Sequence, residues 1–137
     1  MSRTAAPSRA WEWLGMRLVD SGDGTATVEM ATEERMANVS GFVHGGMIST
    51  LADSAMGRAV RTIKPSVRRA ASFDLKLSFI ASARIGENLR AVGKVVHSGR
   101  RTCVTECRVE DGRGRLIATA SATFMVSRER EGTEGAD

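Results

Sequence analysis

A single long helical pattern lies between segments of alternating apolar residues, and this arrangement constrains the fold most. Residues 46–62 repeat apolar side chains at helical spacing, and Pro65 then ends the helix. Strand-like alternation precedes and follows it, over residues 13–20, 24–31, 71–80, 88–97, 102–111 and 115–127. Hairpin-length turns among the last four strands favour an antiparallel sheet. The lone helix must bury its apolar stripe against that sheet.

The predicted fold class is therefore α+β. One long central helix is wrapped by a curved, mainly antiparallel sheet of five to six strands, which is the hotdog arrangement. We predict a single domain over residues 11–127, with disordered tails at 1–10 and 128–137. A domain of this size buries only about two-thirds of its unfolded surface, so an oligomer would be easier to stabilise.

Composition narrows the choice of partners. No run of about 18 apolar residues is present, so no membrane span is expected. The N-terminal residues lack the apolar core of a signal peptide. The net charge is +4, but the chain has no Tyr, four Phe and two Trp. A basic chain this poor in aromatic residues is not expected to bind nucleic acid, whereas a phosphorylated small molecule would need only a few arginines.

Two cysteines, Cys103 and Cys107, lie four residues apart in a predicted strand. On one face of a strand they are further apart than a disulfide comfortably spans, so we predict reduced, buried thiols in a cytoplasmic protein. Together with His44 and His97 they could in principle hold zinc, but no CxxC or HxxxH pair supports such a site. His97 precedes a turn and is interpreted as structural.

One carboxylate interrupts a face of small residues on the helix. On a helical wheel that starts at Met47, Asp53 lies at about 240°, outside the apolar half-turn. The same face carries Gly46, Ser49 and Gly57, which would let another surface approach closely. The wheel alone leaves two interpretations open, a surface aspartate beside accidental glycines or a functional acid.

The start of the helix, His44-Gly45-Gly46, suggests a binding role for the backbone. Exposed N–H groups at a helix N-terminus stabilise negative charge on a ligand, and in acyl transfer that charge is the oxyanion of the tetrahedral intermediate. The alternative for paired glycines is a plain turn from loop to helix.

The stretch from Asn38 through HGGMISTLADSAMGRA resembles the PaaI-like acyl-CoA thioesterases of the hotdog superfamily. That family places an asparagine in the preceding loop, then HGG, then a catalytic Asp or Glu nine residues after the histidine. Here the span runs from His44 to Asp53. The similarity continues through SFDLKLSFIASARIGENL, VVHSGRRT and DGRGRLIATASATFMV, and it covers roughly residues 12–127.

The resemblance implies hydrolysis of small, medium-chain or aromatic acyl-CoA to free acid and CoA, with no cofactor and no metal. Asp53 would act as general base or as nucleophile, and both roles stay open. The N–H of Gly45 would polarise the thioester carbonyl. Asn38 would position the water or the acyl group, and His44 would hold the loop or assist near the sulfur. Ser72 matches a position that orients water in some members.

The resemblance also implies where CoA binds and how the chain assembles. Gly46 and the turn Ser98-Gly99-Arg100-Arg101 correspond to substrate-binding positions, with Arg100 and Arg101 as candidate phosphate contacts and Arg84 a weaker one. A solvated basic turn is the alternative. The family's site spans a dimer interface, so we expect a dimer as the minimal active unit and a tetramer as a dimer of dimers.

One departure from the family pattern and two competing functions complete the prediction. Members with a catalytic glutamate often have Thr or Ser four residues later. Here Gly57 occupies that position, which leaves Ser72 as the water partner. A non-catalytic acyl-CoA-binding hotdog module and a hydroxyacyl-thioester dehydratase are the alternatives. The sequence does not specify the acyl group, although Met36, Phe42, Met47 and Met56 are candidates for lining an adaptable pocket.

Overall fold

The computed structural model describes residues 8–128. It contains two α-helices, one short 3-10 helix at Glu34–Met36 and six strands. In chain order they are α1 Arg9–Leu14, β1 Met16–Gly22, β2 Thr25–Ala31, α2 Gly45–Ile63, β3 Val67–Phe79, β4 Asn88–Ser98, β5 Thr102–Glu110 and β6 Leu116–Arg128. The long helix and all six predicted strands are therefore present, most of them within a few residues of their expected bounds.

The six strands form one antiparallel sheet in the order β1-β2-β4-β5-β6-β3. Helix α2 lies against its inner face, and the core is the apolar layer between them. The helix contributes seven buried residues, namely Ile48, Leu51, Ala52, Ala55, Met56, Ala59 and Val60. Strand β3 forms one edge of the sheet, although it follows the helix directly in sequence. No other strand of residues 8–128 pairs with its outer edge.

The N-terminal region differs from the prediction. Residues 13 and 14, expected in the first strand, end helix α1, and the tail boundary predicted at residue 10 falls inside that helix. Ser8 caps α1 by accepting a hydrogen bond from the N–H of Trp11, and Gly15 ends it in the left-handed conformation. The indole of Trp11 donates to Ser54 Oγ at 3.2 Å, which joins α1 to α2. The C-terminal tail, apart from residue 128, lies outside the described residues.

Helix and sheet approach each other very closely at Gly93 in β4, a position that the sequence had not indicated. A Cβ added there would lie 2.6 Å from the backbone carbon and oxygen of Ala55. Two helix glycines that were expected to admit a neighbouring surface instead face side chains of the same chain. Gly57 faces the ring of Phe124, and Gly46 faces the imidazole of His44.

Strand β3 contains a bulge between Ser72 and Asp74, so the alternation of its side chains is not continuous along the strand. Ser72 pairs with Phe124 and Asp74 pairs with Thr123, so Phe73 has no partner across the ladder. Because paired residues share a face and Phe124 is buried, Ser72 lies on the inner face and Phe73 on the outer one. Unbroken alternation from the inward Leu75 and Leu77 would have placed Phe73 inward and Ser72 outward. The Asp74 carboxylate accepts the N–H of Thr123 at 3.1 Å and thereby satisfies a donor beside the bulge.

Both cysteines are buried and free, as predicted. Burial raises the pKa of the Cys107 thiol to about 12, so this thiol stays protonated and unreactive at neutral pH. Between residues 8 and 128 no cluster of His, Cys, Asp and Glu could hold a metal ion. In the same range, no helix is long and apolar enough to cross a membrane.

Candidate active site

At the N-terminus of α2, one backbone N–H has no hydrogen-bond acceptor within residues 8–128. His44 caps the helix by accepting the N–H of Gly46 on Nδ1 at 2.8 Å, and its carbonyl accepts the N–H of Met47 at 2.9 Å. In the described part of the chain the N–H of Gly45 has no such partner. Since this end of the helix is the positive end of its dipole, the Gly45 amide is placed to receive a carbonyl oxygen.

The same cap restricts Gly46. Its N–H is occupied by His44, so Gly46 is not a free donor, contrary to the expectation of two open amides at this turn. The cap also leaves Nε2 as the unused nitrogen of the exposed His44 ring. The backbone N–H of His44 donates to the Met36 carbonyl at 2.8 Å, which ties the loop to the helix start.

Asn38 shapes the loop before the helix. Its side-chain oxygen accepts the N–H groups of Ser40 at 2.9 Å and Phe42 at 3.1 Å. Both lone pairs of that oxygen are therefore used within the loop, and the amide NH₂ is the part available to a ligand. The loop is attached to the opposite wall through the N–H of Val43, which donates to the Ala83 carbonyl at 2.9 Å.

A cavity of about 320 Å³ opens between this loop, the start of α2 and the end of β3. Seven of its ten lining residues have apolar side chains, and the lining also includes Gly45 and the predicted site residue Asn38. The other lining residues are Phe42, Val43, Ile48, Phe79, Ile80, Ala81, Ser82 and Ala83. A concave, mostly apolar site with a few convergent polar groups is typical of small-molecule binding.

The far wall of this cavity is held in place by hydrogen bonds of Arg115 and Asp111, which the sequence had not indicated. Arg115 donates to Asp111 Oδ2 at 3.2 Å and to the Ser82 carbonyl at 2.8 Å. Asp111 Oδ1 also accepts the backbone N–H groups of Arg115 and Arg113, each at 2.9 Å. The Arg115 N–H is the main reason why the pKa of Asp111 lies below its usual range. The DGRG turn would have suggested such an Asx arrangement, but its contact with Ser82 is tertiary.

Asp53 lies in the middle of α2, on the flank beside the buried stripe, and it is half-buried. Its Oδ1 atom is buried without a hydrogen-bond partner in the described residues. Unsatisfied buried polar atoms are rare because each loses its hydration without replacement. At 1.5 Å per residue, Asp53 stands about 12 Å along the helix from Gly45. Within one chain, the Asp53 carboxylate and the Gly45 N–H are therefore too far apart to act on the same substrate carbonyl group.

Ser72 lies on the face of β3 that is turned toward α2. It pairs with Phe124, whose ring packs at Gly57, one helical turn after the acid. The bulge that turns Ser72 inward is thus what places its hydroxyl on the helix side of the sheet.

The predicted CoA-binding turn lies at the other end of the helix. Arg100 lines a second cavity of about 250 Å³, together with Lys64 and Ser66 beyond the end of α2. Within the turn, Gly99 donates its N–H to the Thr102 carbonyl at 2.7 Å, and Ser98 Oγ lies 3.8 Å from the Cys103 sulfur. The exposed Arg101 accepts the N–H of Val126 on its carbonyl. Within one chain these residues are separated from Gly45 by the length of α2, about 28 Å.

A family model described as the thioesterase superfamily matches residues 40–118, which include the cap, the acid and most of the sheet. The chain belongs to this superfamily. The predicted family and the enzyme class, a thioester hydrolase, are thereby confirmed.

Relatives of this thioesterase-superfamily chain share its fold and size. A conserved protein of Pseudomonas aeruginosa has a solved structure that superimposes with a TM-score of 0.80 at 31% identity, over 88% of this chain and 94% of that one, which confirms the hotdog fold. A Streptococcus mutans protein solved bound to acetyl CoA gives 0.76 at 28% identity, over 85% and 91%. The 1,4-dihydroxy-2-naphthoyl-CoA hydrolase of Listeria monocytogenes is 26% identical over 88% of this chain and 97% of its own length.

Proposed function

We propose that this protein hydrolyses acyl-CoA thioesters at a site completed by two copies of the chain, with Asp53 of one subunit and Gly45 of the other. The observation that carries the proposal is the buried Asp53 Oδ1 without a partner, because such an atom is retained where it has a chemical task. The unpaired Gly45 amide supplies the complementary group for the carbonyl oxygen. The acetyl CoA bound to the streptococcal relative supports the ligand class.

The unpaired edge of β3 supports the dimer. This edge strand is 13 residues long, and it exposes Phe73 and Leu75. Long, apolar edges of this kind are normally covered, because they pair readily with other strands. Two-fold pairing of β3 with β3 of a second copy would run antiparallel. The helix start of one subunit would then approach the helix flank of the other, where Asp53 lies.

The same pairing would bring the basic turn near the partner's cavity. Lys64, Arg100 and Arg101 then lie on the route by which a CoA chain leaves the apolar site. Their positive charge suits phosphate groups. Ser98 and Gly99 shape this turn, as the family resemblance implies.

In the proposed reaction the Asp53 carboxylate takes a proton from a water held by Ser72. The water oxygen bonds to the thioester carbon, and the carbonyl oxygen becomes an oxyanion on the Gly45 N–H. The carbon–sulfur bond then breaks, and the proton passes to the leaving CoA thiolate. The Asn38 NH₂ positions the acyl group, and His44 Nε2 lies beside the departing sulfur. Direct attack by Asp53, giving an anhydride that water cleaves, uses the same geometry.

This proposal involves no cofactor. Assembly of dimers into a tetramer and a cytoplasmic location remain predictions.

The first test measures release of CoA thiol from a panel of short, medium-chain and aromatic acyl-CoA esters with a colorimetric thiol reagent. Both protein cysteines are buried, so the protein contributes little background. We expect turnover of at least one class and a dimer or larger species by gel filtration. Tight binding of acyl-CoA without thiol release would instead indicate the non-catalytic module.

A second test addresses the shared site by mixing two inactive variants. Asp53→Asn removes the acid, and Gly45→Pro removes the amide at a helix position that tolerates proline. After joint refolding, half of the dimers are mixed and each carries one intact site, so about a quarter of the parent activity should return. Gly45→Ala is the matched control, since it adds a Cβ near Phe79 but keeps the N–H. No recovery in the mixture would contradict the shared site.

A further inference from the structure

Phe79 ends β3 beside the proposed oxyanion donor, with its ring 55% exposed. Two ring atoms lie 3.1 and 3.4 Å from the position that a Cβ on Gly45 would occupy. Phe79 pairs with Ala118, which is fully buried, so its side chain is on the inner face rather than along the unpaired edge. A large aromatic ring half open to solvent is therefore held against the backbone that would bind the carbonyl.

The ring is one wall of the 320 Å³ cavity. A carbonyl oxygen bound to Gly45 would lie about 2.9 Å from its nitrogen, which brings the acyl group into the cavity that the ring borders. Ile48, Phe42 and Ile80 add apolar side chains to the lining beyond Phe79. These side chains can pack against a hydrocarbon acyl group.

We propose that Phe79 determines specificity by limiting the bulk that the acyl group can carry next to the thioester carbonyl. The ring occupies the space beside Gly45, so a second substituent on the α-carbon has to displace it. Straight-chain and planar acyl groups pass along its face. This inference rests on the proposed acyl-CoA hydrolysis and adds to it a rule for which acyl groups are accepted.

The test compares kcat/KM for butyryl-CoA and isobutyryl-CoA, which differ only by branching at the α-carbon. Phe79→Ala should raise the isobutyryl-to-butyryl ratio at least about tenfold, the usual effect of one methyl group in an apolar pocket. Phe79→Leu should give an intermediate ratio. It also preserves an apolar side chain on β3 in case the alanine variant folds poorly.

Val96→Ala is the matched control, because Val96 is also exposed (56%), lies on β4 with two strands between it and β3, and does not line the cavity. Its ratio should equal that of the parent. An unchanged ratio in both Phe79 variants, an equal change for both substrates, or the same shift in Val96→Ala would overturn the role of Phe79. Absence of thiol release by the parent from the whole acyl-CoA panel would instead overturn the proposed function, and this inference with it.

Discussion

On the side of α2 that faces β4, Gly93 approaches the helix so closely that an added Cβ would meet the Ala55 backbone at 2.6 Å. On the flank that carries Asp53, a buried carboxylate oxygen has no partner within residues 8–128. On the first side, the strand and the helix are already at contact distance, so there is no room for an added side-chain atom. The second leaves a polar atom unsatisfied on a side chain that is only half-buried. Comparing the two separates the residues that stabilise this fold from those available for chemistry.

The largest expected effect is on the open flank, for Asp53→Asn. Removing a general base or nucleophile should lower kcat by about 10²- to 10⁴-fold. The free energy of unfolding should fall by no more than about 1 kcal/mol, because the replaced carboxylate oxygen has no partner to lose. Steady-state kinetics and urea unfolding of the same preparation measure both quantities.

Asp20→Asn is the control for this variant, since it removes the same charge from an exposed position on β1. It should leave both quantities near the parent values. A strongly destabilised Asp53→Asn protein would show that Asp53 belongs to the structural side of the comparison.

On the closed side, Gly93→Ala should lower the free energy of unfolding by about 3 kcal/mol, near the upper end for overpacking. The added methyl meets backbone atoms of Ala55 and Met56, so the helix itself must shift. Chemical unfolding measures the loss. Gly112→Ala provides a contrast, because its added Cβ meets only the end of the flexible Glu87 side chain, at 3.2 Å. A Gly93→Ala protein as stable as the Gly112→Ala protein would mean that the helix–sheet contact is looser than the structure indicates.

The smallest expected effect is on the pH dependence of stability, for Asp111. Its carboxylate accepts hydrogen bonds on both oxygens, whereas one oxygen of Asp53 accepts none from the described residues. The pKa of Asp111 is lower in the folded chain than in the unfolded chain, so this carboxylate stabilises the protein above the unfolded pKa of about 3.9. That contribution disappears as the pH falls through the lower, folded pKa. Asp111→Asn should therefore be less stable than the parent at pH 7, and the two should converge in acid. Urea unfolding of both proteins across this pH range tests the prediction. A difference in the free energy of unfolding that stays constant with pH would assign the effect of the substitution to packing.

Much of this architecture was predictable because it follows from local periodicity. The 3.6-residue pattern predicted α2 to within one residue at each end, and alternation located β4, β5 and β6 nearly as well. The family resemblance also singled out Asn38, His44, Gly45 and Asp53, whose surroundings are consistent with the proposed site. Their chemical roles remain proposals.

The errors arose where a tertiary contact overrides the local pattern. Unbroken alternation along β3 would have placed Phe73 inward, but one bulge, with Asp74 bonded to Thr123, places Ser72 there instead. Residues 13 and 14 alternate like a strand, but Trp11 and Leu14 bury one face of a helix against the core. Neither outcome could be read from a short window of sequence, because each depends on a partner far along the chain.

By itself, the sequence determined the long helix, the strands that flank it and the spacing from His44 to Asp53, since these depend on neighbouring residues and helical geometry. Only the tertiary structure decided which polar groups stay unsatisfied. The cap on His44 uses the N–H of Gly46 and leaves that of Gly45, and packing buries one oxygen of Asp53 without a partner. The physical reason is that hydrogen-bond satisfaction depends on which atoms the whole fold brings within about 3 Å of each other.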